Sequence, residues 1–253
     1  MATRAPSKRP TKGWKQAASL RVETTPPRNE QLTSNRGIAA MRVVGVGASA
    51  GGLHAFIDLI SAIPLETGLA FVLIQHLDPR HASMLVAILT GATALPVQEV
   101  VDRMRIERDQ VYVIPPDTQL TVQDGILRLL PRPLKVPHRP LDAFFCSLAE
   151  DRKSDAIGVV LSGNDADGAL GLQTIRDAGG ITFAQSPESA KFDIMPRAAA
   201  MAADFVLPPG GIAERLVTIA RQDDSREGWQ RRRFGKNRRV TRPVEATAKP
   251  KEP

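Results

Sequence analysis

Apolar runs alternate with helix-period segments between about residue 41 and residue 220. Residues 41–47, 69–75 and 156–161 are nearly continuous apolar runs, which are typical of strands covered on both faces. Amphipathic segments separate these runs, so the pattern predicts β-α units and a parallel sheet. The further predicted elements are helices over 52–63, 82–89, 141–148, 169–178, 197–203 and 212–220 and strands over 181–184 and 205–207.

Shorter segments that alternate apolar and polar residues interrupt this pattern between residues 97 and 130. Segments 97–101 and 111–114, together with segment 120–130 folded about the turn pair Asp124-Gly125, predict an antiparallel insert or edge. The whole middle of the chain therefore predicts a doubly wound α/β domain of three layers, αβα, with a mostly parallel sheet and an antiparallel hairpin insert. Ligands bind such domains at the carboxyl ends of the strands.

The two ends of the chain differ from the middle in charge and in pattern. Residues 1–42 hold nine Lys/Arg against two acids and residues 221–253 hold eleven against five, which leaves −6 for residues 43–220 although the whole chain carries +7. Neither end shows apolar periodicity, so we expect a disordered basic arm over 1–40, a domain over 41–220 and a disordered basic tail over 221–253. The basic ends could contact an anionic partner.

The composition narrows the class of protein. Aromatic residues make up 4% of the 253 residues, which argues against base-stacking platforms for single-stranded nucleic acids. The single Cys excludes an internal disulfide framework and a thiolate zinc site. No apolar run is long enough to span a membrane. We expect a soluble cytoplasmic protein.

The turn between the first predicted strand and the first helix satisfies two motifs. Gly45 begins a G-x-G-x-x-A dinucleotide pattern, and Gly47 begins a G-x-S-x-G pattern that presents Ser49 as a nucleophile. The second strand ends in Gln75-His76. A dinucleotide site needs an acid at this position to bind the ribose, whereas a serine hydrolase needs a base to take the serine proton. The second motif therefore predicts Ser49 as nucleophile, with the amides of Ala50 and Gly51 available for an oxyanion.

Two further strand ends supply the partners that a catalytic serine needs. His76 can take the serine proton, and the buried run 156–161 leads into a segment with Asp165 and Asp167, either of which could orient the imidazole. Both acids could instead cap the next helix.

A metal site is a separate possibility near the same strand end. The residue types of His76, Asp78 and His81 can bind a metal, but their spacing in a predicted loop completes no site, so we expect no metal and no cofactor.

Five separated motifs resemble the chemotaxis receptor protein-glutamate methylesterases of the CheB type. They are GASAGG at 47–52, QH at 75–76, HRPLDAFF at 138–145, SGNDADGALGL at 162–172 and AQSPESAKFDIMPRAA at 184–199. The resemblance implies an α/β fold and a triad of Ser49, His76 and Asp167. It also implies hydrolysis of glutamyl methyl esters on receptor helices, often with glutamine deamidation. Arg139 and Arg197 lie within the resembling motifs and could position an acidic receptor helix, or could form salt bridges within the domain.

Two departures from the family pattern bear on regulation and on the site. The loop before Asp167 carries Asn164 and Asp165 where relatives usually have Met and Gly. Only a short basic segment precedes the first strand, so we expect no attached receiver domain and look to a separate receiver or receptor methyltransferase as a partner. Two alternatives remain at this point, a catalytically silent scaffold that binds an anionic partner through its basic ends, and a nucleotide-binding domain.

Overall fold

The computed structural model describes residues 41–75, 84–133 and 137–234, with side chains of the last helix up to residue 222. The strands are β1 (Val43–Ala48), β2 (Ala70–Gln75), β3 (Val97–Glu99), β4 (Val111–Val113), β5 (Thr118–Gln123), β6 (Ile126–Pro131), β7 (Ala156–Val160), β8 (Ile181–Gln185) and β9 (Phe205–Leu207). The helices are α1 (Gly52–Ser61), α2 (Leu85–Thr90), α3 (Pro140–Arg152), α4 (Ala169–Asp177), α5 (Ile194–Ala200) and α6 (Pro209–Phe234), with short 3-10 turns at Lys153–Asp155 and Pro187–Ser189.

Seven strands form one sheet in the order β3-β4-β2-β1-β7-β8-β9, and every pair in it is parallel. Successive strand residues face two separate apolar cores, because side chains alternate across a pleated strand. Val44 and Val46 lie in the core covered by α1, α2 and α6. Val43 and Val72 lie in the core covered by α3, α4, α5 and the β5-β6 hairpin. The predicted doubly wound domain of three layers is confirmed.

The structure corrects the prediction for the segments around residues 97 and 111. They were expected to join an antiparallel insert, but β3 and β4 pair with each other, and β4 with β2, in parallel. The connection between them crosses the hairpin, where the Arg103 and Ile106 amides donate to the Leu127 and Gly125 carbonyls. Because the connection crosses the hairpin, β4 runs in the same direction as β3. A strand of three residues has too short a hydrophobic pattern to predict this parallel pairing.

The predicted hairpin is confirmed and packs across α3. Asp124 and Gly125 both have positive φ, at 53° and 70°, as a two-residue hairpin turn requires. The Val122 amide donates to the Ser147 hydroxyl at 3.1 Å, and the Gly125 amide donates to the Asp151 carboxylate at 3.3 Å. These bonds hold the hairpin against the helix that begins beside the carboxyl edge of the sheet.

Every helix differs from its predicted bounds by one residue or more, and α3 continues to Arg152 rather than ending at residue 148. Helix α5 begins at Ile194 rather than at residue 197, because Pro196 falls in the first turn, where its missing N–H is not needed. Helix α6 continues to Phe234 instead of ending at Ala220. The added segment 221–234 holds five Arg and two Gln, which favour helix. No helix in the described ranges has the length and apolarity to cross a membrane. The division at residue 220 stays a prediction, and residues 1–40 and 235–253 lie outside the described residues.

Helix α3 lies directly against the middle of β1. A Cβ built at Gly47 would stand 2.1 Å from Leu141 Cδ2, and one at Gly45 would stand 2.9 Å from a ring carbon of Phe145. Both glycines are buried within the strand. The G-x-G spacing in β1 is therefore explained by close packing of strand and helix.

Two buried carboxylates cap the N-termini of α3 and α4. Asp167, just before α4, caps α3, and Asp142, in the first turn of α3, caps α4. Asp167 Oδ2 accepts the Leu141 amide at 2.9 Å and Asp167 Oδ1 accepts the Asp142 amide at 3.0 Å. In return, Asp142 Oδ1 accepts the amides of Gly168 and Gly171 at 3.0 and 2.8 Å. These bonds satisfy orphan donors at both helix N-termini, where negative charge is also favoured by the helix dipole.

The two carboxylates are close enough to affect each other electrostatically. Asp142 and Asp167 are only 6% and 4% exposed. Burial raises the pKa of the Asp142 carboxyl above its ordinary value, and the charge of Asp167 adds to the rise. The amides that donate to Asp142, and the guanidinium of Arg139 at 3.4 Å, lower the pKa without cancelling the rise. Asp142 therefore holds its proton to a higher pH in the folded state than in the unfolded chain.

The stability of the domain should depend on pH through Asp142. Because the folded-state pKa is raised, the contribution of Asp142 is complete below about pH 4 and is lost as the pH rises through the raised value. In Asp142→Asn the side-chain oxygen can still accept the two glycine amides, but the group no longer titrates. We expect the unfolding free energy of the wild type, minus that of the variant, to fall as the pH rises from about 4 to about 7 in urea titrations.

Asp193→Asn is the matched control. A hydrogen bond from Arg197 lowers the pKa of the exposed Asp193, so its contribution is present at neutral pH and is lost as the pH falls through the lowered value. Its wild-type-minus-variant difference should therefore change with the opposite sign. A difference for Asp142→Asn that is flat, or that grows with pH, would contradict the assignment.

Candidate active site

Two of the three predicted triad residues lie in segments that follow neighbouring strands at the carboxyl edge of the sheet. Ser49 follows β1, and the segment from Ser162 to Asp167 follows its parallel neighbour β7. The Ser49 amide donates to the Ser162 carbonyl at 2.9 Å, which joins the two strand ends directly. On the other side of β1, Gln75 ends β2 in register with Ala48. His76 comes next in sequence and lies outside the described residues, as do Asp78 and His81.

The turn that carries Ser49 is made by Gly51. Gly51 has a φ of 72°, in the left-handed region that favours glycine, and the Gly52 amide closes the turn on the Ser49 carbonyl at 2.9 Å. A Cβ at Gly51 would also stand 2.9 Å from Ser162 Oγ, so both conformation and space require glycine. The chain thus leaves the strand and enters α1 within three residues, with Ser49 half-buried at the bend.

The start of α1 offers hydrogen-bond donors beside Ser49. Within the part of the chain that the structure describes, the amides of Ala50 and Gly51 donate to no acceptor and the Ser49 hydroxyl has no partner. Both amides precede the ten-residue helix α1, whose dipole favours negative charge at this end. The turn can therefore hold a developing oxyanion next to a serine hydroxyl.

Asp167 and Asp165 occupy different roles in the loop after β7. The Asp167 carboxylate is fixed by the two α3 amides that it caps. Asp165 Oδ1 accepts the Asp167 amide at 2.9 Å, a local side-chain-to-backbone turn that Asp forms readily. Asn164 is exposed. Asp165 therefore supports the backbone of Asp167, an arrangement that Gly at this position could not provide.

Arg139 immediately precedes α3, and Arg197 lies in the last turn of α5. Their side chains are 57% and 64% exposed, and each has a carboxylate partner three or four residues away in the chain. Arg139 lies 3.4 Å from Asp142 and Arg197 lies 2.7 Å from Asp193. The Arg197–Asp193 pair is exposed on both sides and therefore weak, so Arg197 could exchange its partner for an external anion, whereas the carboxylate that Arg139 contacts is buried.

Sequence reasoning missed Ser162 and Asp142. Ser162 is 1% exposed and its hydroxyl bridges the Ser49 turn and segment 186–193, while Asp142 holds the backbone after Asp167. Both residues lie within the motifs that carried the family resemblance, which was the available signal. A serine at a strand end and an acid in the first turn of a helix are otherwise ordinary capping residues.

The other candidate chemistries find little support in the described ranges. No group of three or more His, Cys, Asp or Glu side chains there is placed to hold a metal ion. Gly45 and Gly47 of the dinucleotide pattern lie inside β1 beneath α3, where no phosphate can approach them. Cys146 is half-buried, with its Sγ 3.6 Å from Thr174 Oγ1.

Comparison with known proteins points to one family. The family model CheB methylesterase matches residues 44–216. Protein-glutamate methylesterase/protein-glutamine glutaminase 2 of Burkholderia pseudomallei strain 1710b is 35% identical over 192 residues, covering 74% of this chain and 56% of that protein. The enzyme numbered 3 in the same series from Burkholderia orbicola strain AU 1054 is 37% identical over 179 residues, with coverages of 69% and 53%. The chain thus spans about half the length of these curated relatives.

A solved structure agrees with the sequence comparison. The crystal structure of the Thermotoga maritima CheB methylesterase catalytic domain matches with a TM-score of 0.66 and 28% identity, covering 71% of this chain and 98% of that one. The family match at residues 44–216 confirms the resemblance expected over residues 41–220, and it includes Ser49 and Asp167. By sequence and by fold, the chain belongs to the CheB methylesterase family.

Proposed function

We propose that this protein is a serine hydrolase that removes methyl groups from glutamyl methyl esters of chemotaxis receptors. Ser49 is the nucleophile, His76 the general base and Asp167 the carboxylate that orients it. The observation that carries the proposal is the junction of the Ser49 turn with the Asp167 loop on adjacent parallel strands, beside two amides that have no acceptor in the described structure. The names of the relatives support the substrate class.

The reaction proceeds through an acyl-enzyme. Ser49 Oγ attacks the ester carbonyl carbon as His76 takes the hydroxyl proton, and the amides of Ala50 and Gly51 hold the negative oxygen. The tetrahedral intermediate collapses when His76 returns the proton to the methoxy group, which leaves as methanol. Water then attacks the acyl-enzyme by the same route and releases the glutamate side chain. A glutamine substrate would lose ammonia in the same way, in line with the double name of the relatives.

Asp167 suits the orienting role because its carboxylate is buried and held by hydrogen bonds. Its oxygens accept two amides of α3, and Asp165 accepts the Asp167 amide, so both the side chain and the backbone of Asp167 have fixed partners. Such a carboxylate selects the productive imidazole tautomer and stabilises the imidazolium.

Substrate positioning falls to exposed groups at the same edge of the sheet. Arg139 and Arg197 position an acidic receptor helix, and Arg197 exchanges its weak, exposed pair with Asp193 for that contact. The protein acts in the cytoplasm together with a separate receiver or receptor methyltransferase, and its basic ends contact anionic partners. Receptors methylated on glutamate are the substrate in this scheme.

Replacing the nucleophile should abolish turnover. We expect Ser49→Ala to lower methanol release from a methylated receptor fragment by about three orders of magnitude or more, because only binding and the oxyanion donors remain. Ser61→Ala, at an exposed serine near the end of α1, is the control and should keep the wild-type rate. Equal rates for Ser49→Ala and wild type would overturn the mechanism.

A pair of Asp→Asn variants distinguishes the two acids of the loop. Asp167→Asn should lower kcat by about 10⁴-fold, because an amide cannot stabilise the imidazolium or hold the correct tautomer. Asp165→Asn keeps an oxygen that can accept the Asp167 amide, so its kcat should stay within about threefold of wild type. A large loss in Asp165→Asn with a mild one in Asp167→Asn would transfer the orienting role to Asp165.

A further inference from the structure

The buried hydroxyl of Ser162 connects the nucleophile turn to the segment between β8 and α5. Ser162 Oγ lies 2.9 Å from the Ala50 carbonyl oxygen and 3.0 Å from the Phe192 amide nitrogen. The residue is 1% exposed, so water does not compete for these contacts. Both bonds are made by one hydroxyl, which has a single proton to donate.

The direction of that proton follows from its neighbours. The Phe192 amide can only donate, so it occupies a lone pair of Ser162 Oγ. The Ala50 carbonyl can only accept, so it receives the Ser162 proton. The hydroxyl is therefore fixed in one orientation without rotation between partners.

Ser162 itself is held on both sides of its backbone. Its amide donates to Gln185 Oε1 at 2.9 Å, and its carbonyl accepts the Ser49 amide at 2.9 Å. Gln185 is 1% exposed and donates in turn to the Ser189 carbonyl at 3.0 Å. A rigid support thus presents the Ser162 hydroxyl to the nucleophile turn.

The bond to Ala50 controls where the Gly51 N–H points. A trans peptide is planar and its C=O and N–H point in opposite directions, so turning the Ala50 carbonyl inward to Ser162 turns the Gly51 N–H away from it. Glycine tolerates several backbone conformations, so the peptide before Gly51 would rotate more easily without this bond.

We propose that Ser162 is a positioning residue, whose hydroxyl holds the Ala50-Gly51 peptide so that the Gly51 N–H faces the oxyanion. This rests on the proposed function, in which that amide is an oxyanion donor. Ser162 touches neither the substrate nor the reacting atoms and acts through the peptide. The donor is needed only when negative charge develops on the substrate oxygen, so Ser162 affects kcat and leaves KM nearly unchanged.

Ser162→Ala tests the proposal in the full chain. We expect kcat for methanol release to fall by about 10- to 100-fold, less than or comparable to the loss of a whole oxyanion donor, with KM within about threefold. Ser162→Thr retains the hydroxyl and should recover most of the rate. If Ser162→Ala does not fold, Ser162→Cys keeps a weaker donor of similar shape and should give an intermediate kcat.

Thr182→Ala is the matched control for loss of a buried hydroxyl. Thr182 is fully buried near the other end of β8, where its Oγ1 donates to the Ala202 carbonyl at 2.8 Å. This variant should lower the melting temperature but keep the wild-type kcat. A wild-type kcat in Ser162→Ala, or an equal loss of kcat in Thr182→Ala, would overturn the proposal.

A fluorophosphonate probe separates failure of this inference from failure of the proposed function. An activated serine attacks the phosphorus of the probe and displaces fluoride without needing a receptor, and the phosphonyl oxygen of the probe uses the same donors. Labelling of Ser49 that slows about tenfold or more in Ser162→Ala supports the positioning role even if receptor esters are not hydrolysed. Labelling at the wild-type rate in that variant rejects the role, while absence of labelling in the wild type rejects the serine hydrolase itself.

Discussion

The reciprocal capping of two buried carboxylates holds the functional edge of this domain together. Asp167, which precedes α4, accepts two amides from the first turn of α3. Asp142, which lies in the first turn of α3, accepts two amides at the start of α4. Burial of two acids is costly unless their oxygens are satisfied, and here helix N-termini supply both hydrogen bonds and favourable dipoles. The residual cost is visible in the raised pKa of Asp142. The same contacts that start α3 and α4 thus fix the carboxylate of Asp167, which we propose to orient the general base.

Close packing of α3 against β1 links this pair of carboxylates to Ser49, the proposed nucleophile. The start of α3 is tied to Asp167, and Leu141 in that turn packs into the space left by Gly47, two residues before Ser49. On the opposite side, Ser162 joins the Ser49 turn to Gln185 and the segment before α5. The proposed nucleophile and the proposed orienting acid are therefore placed by strand ends and helix starts, as precise chemistry requires.

Much of this arrangement could be predicted from the sequence because it depends on local patterns. Continuous apolar runs indicated the buried strands, and Ser49 and Asp167 could be placed at strand ends because parallel strands share a carboxyl edge. The parallel pairing of β3 and β4 could not, since it depends on a connection that crosses the hairpin. The contacts of Asp142 and Ser162 were equally hidden, because both residues act on backbone that is distant in sequence.

The central claim is that Ser49 is a nucleophile activated by His76. Mass-spectrometric mapping of the fluorophosphonate adduct on the purified protein tests this most directly, because the adduct marks the activated serine. The claim predicts a single adduct, on the peptide that contains Ser49, which is lost in a His76→Ala variant. An adduct on another serine, or labelling of Ser49 that is undiminished in His76→Ala, would contradict it.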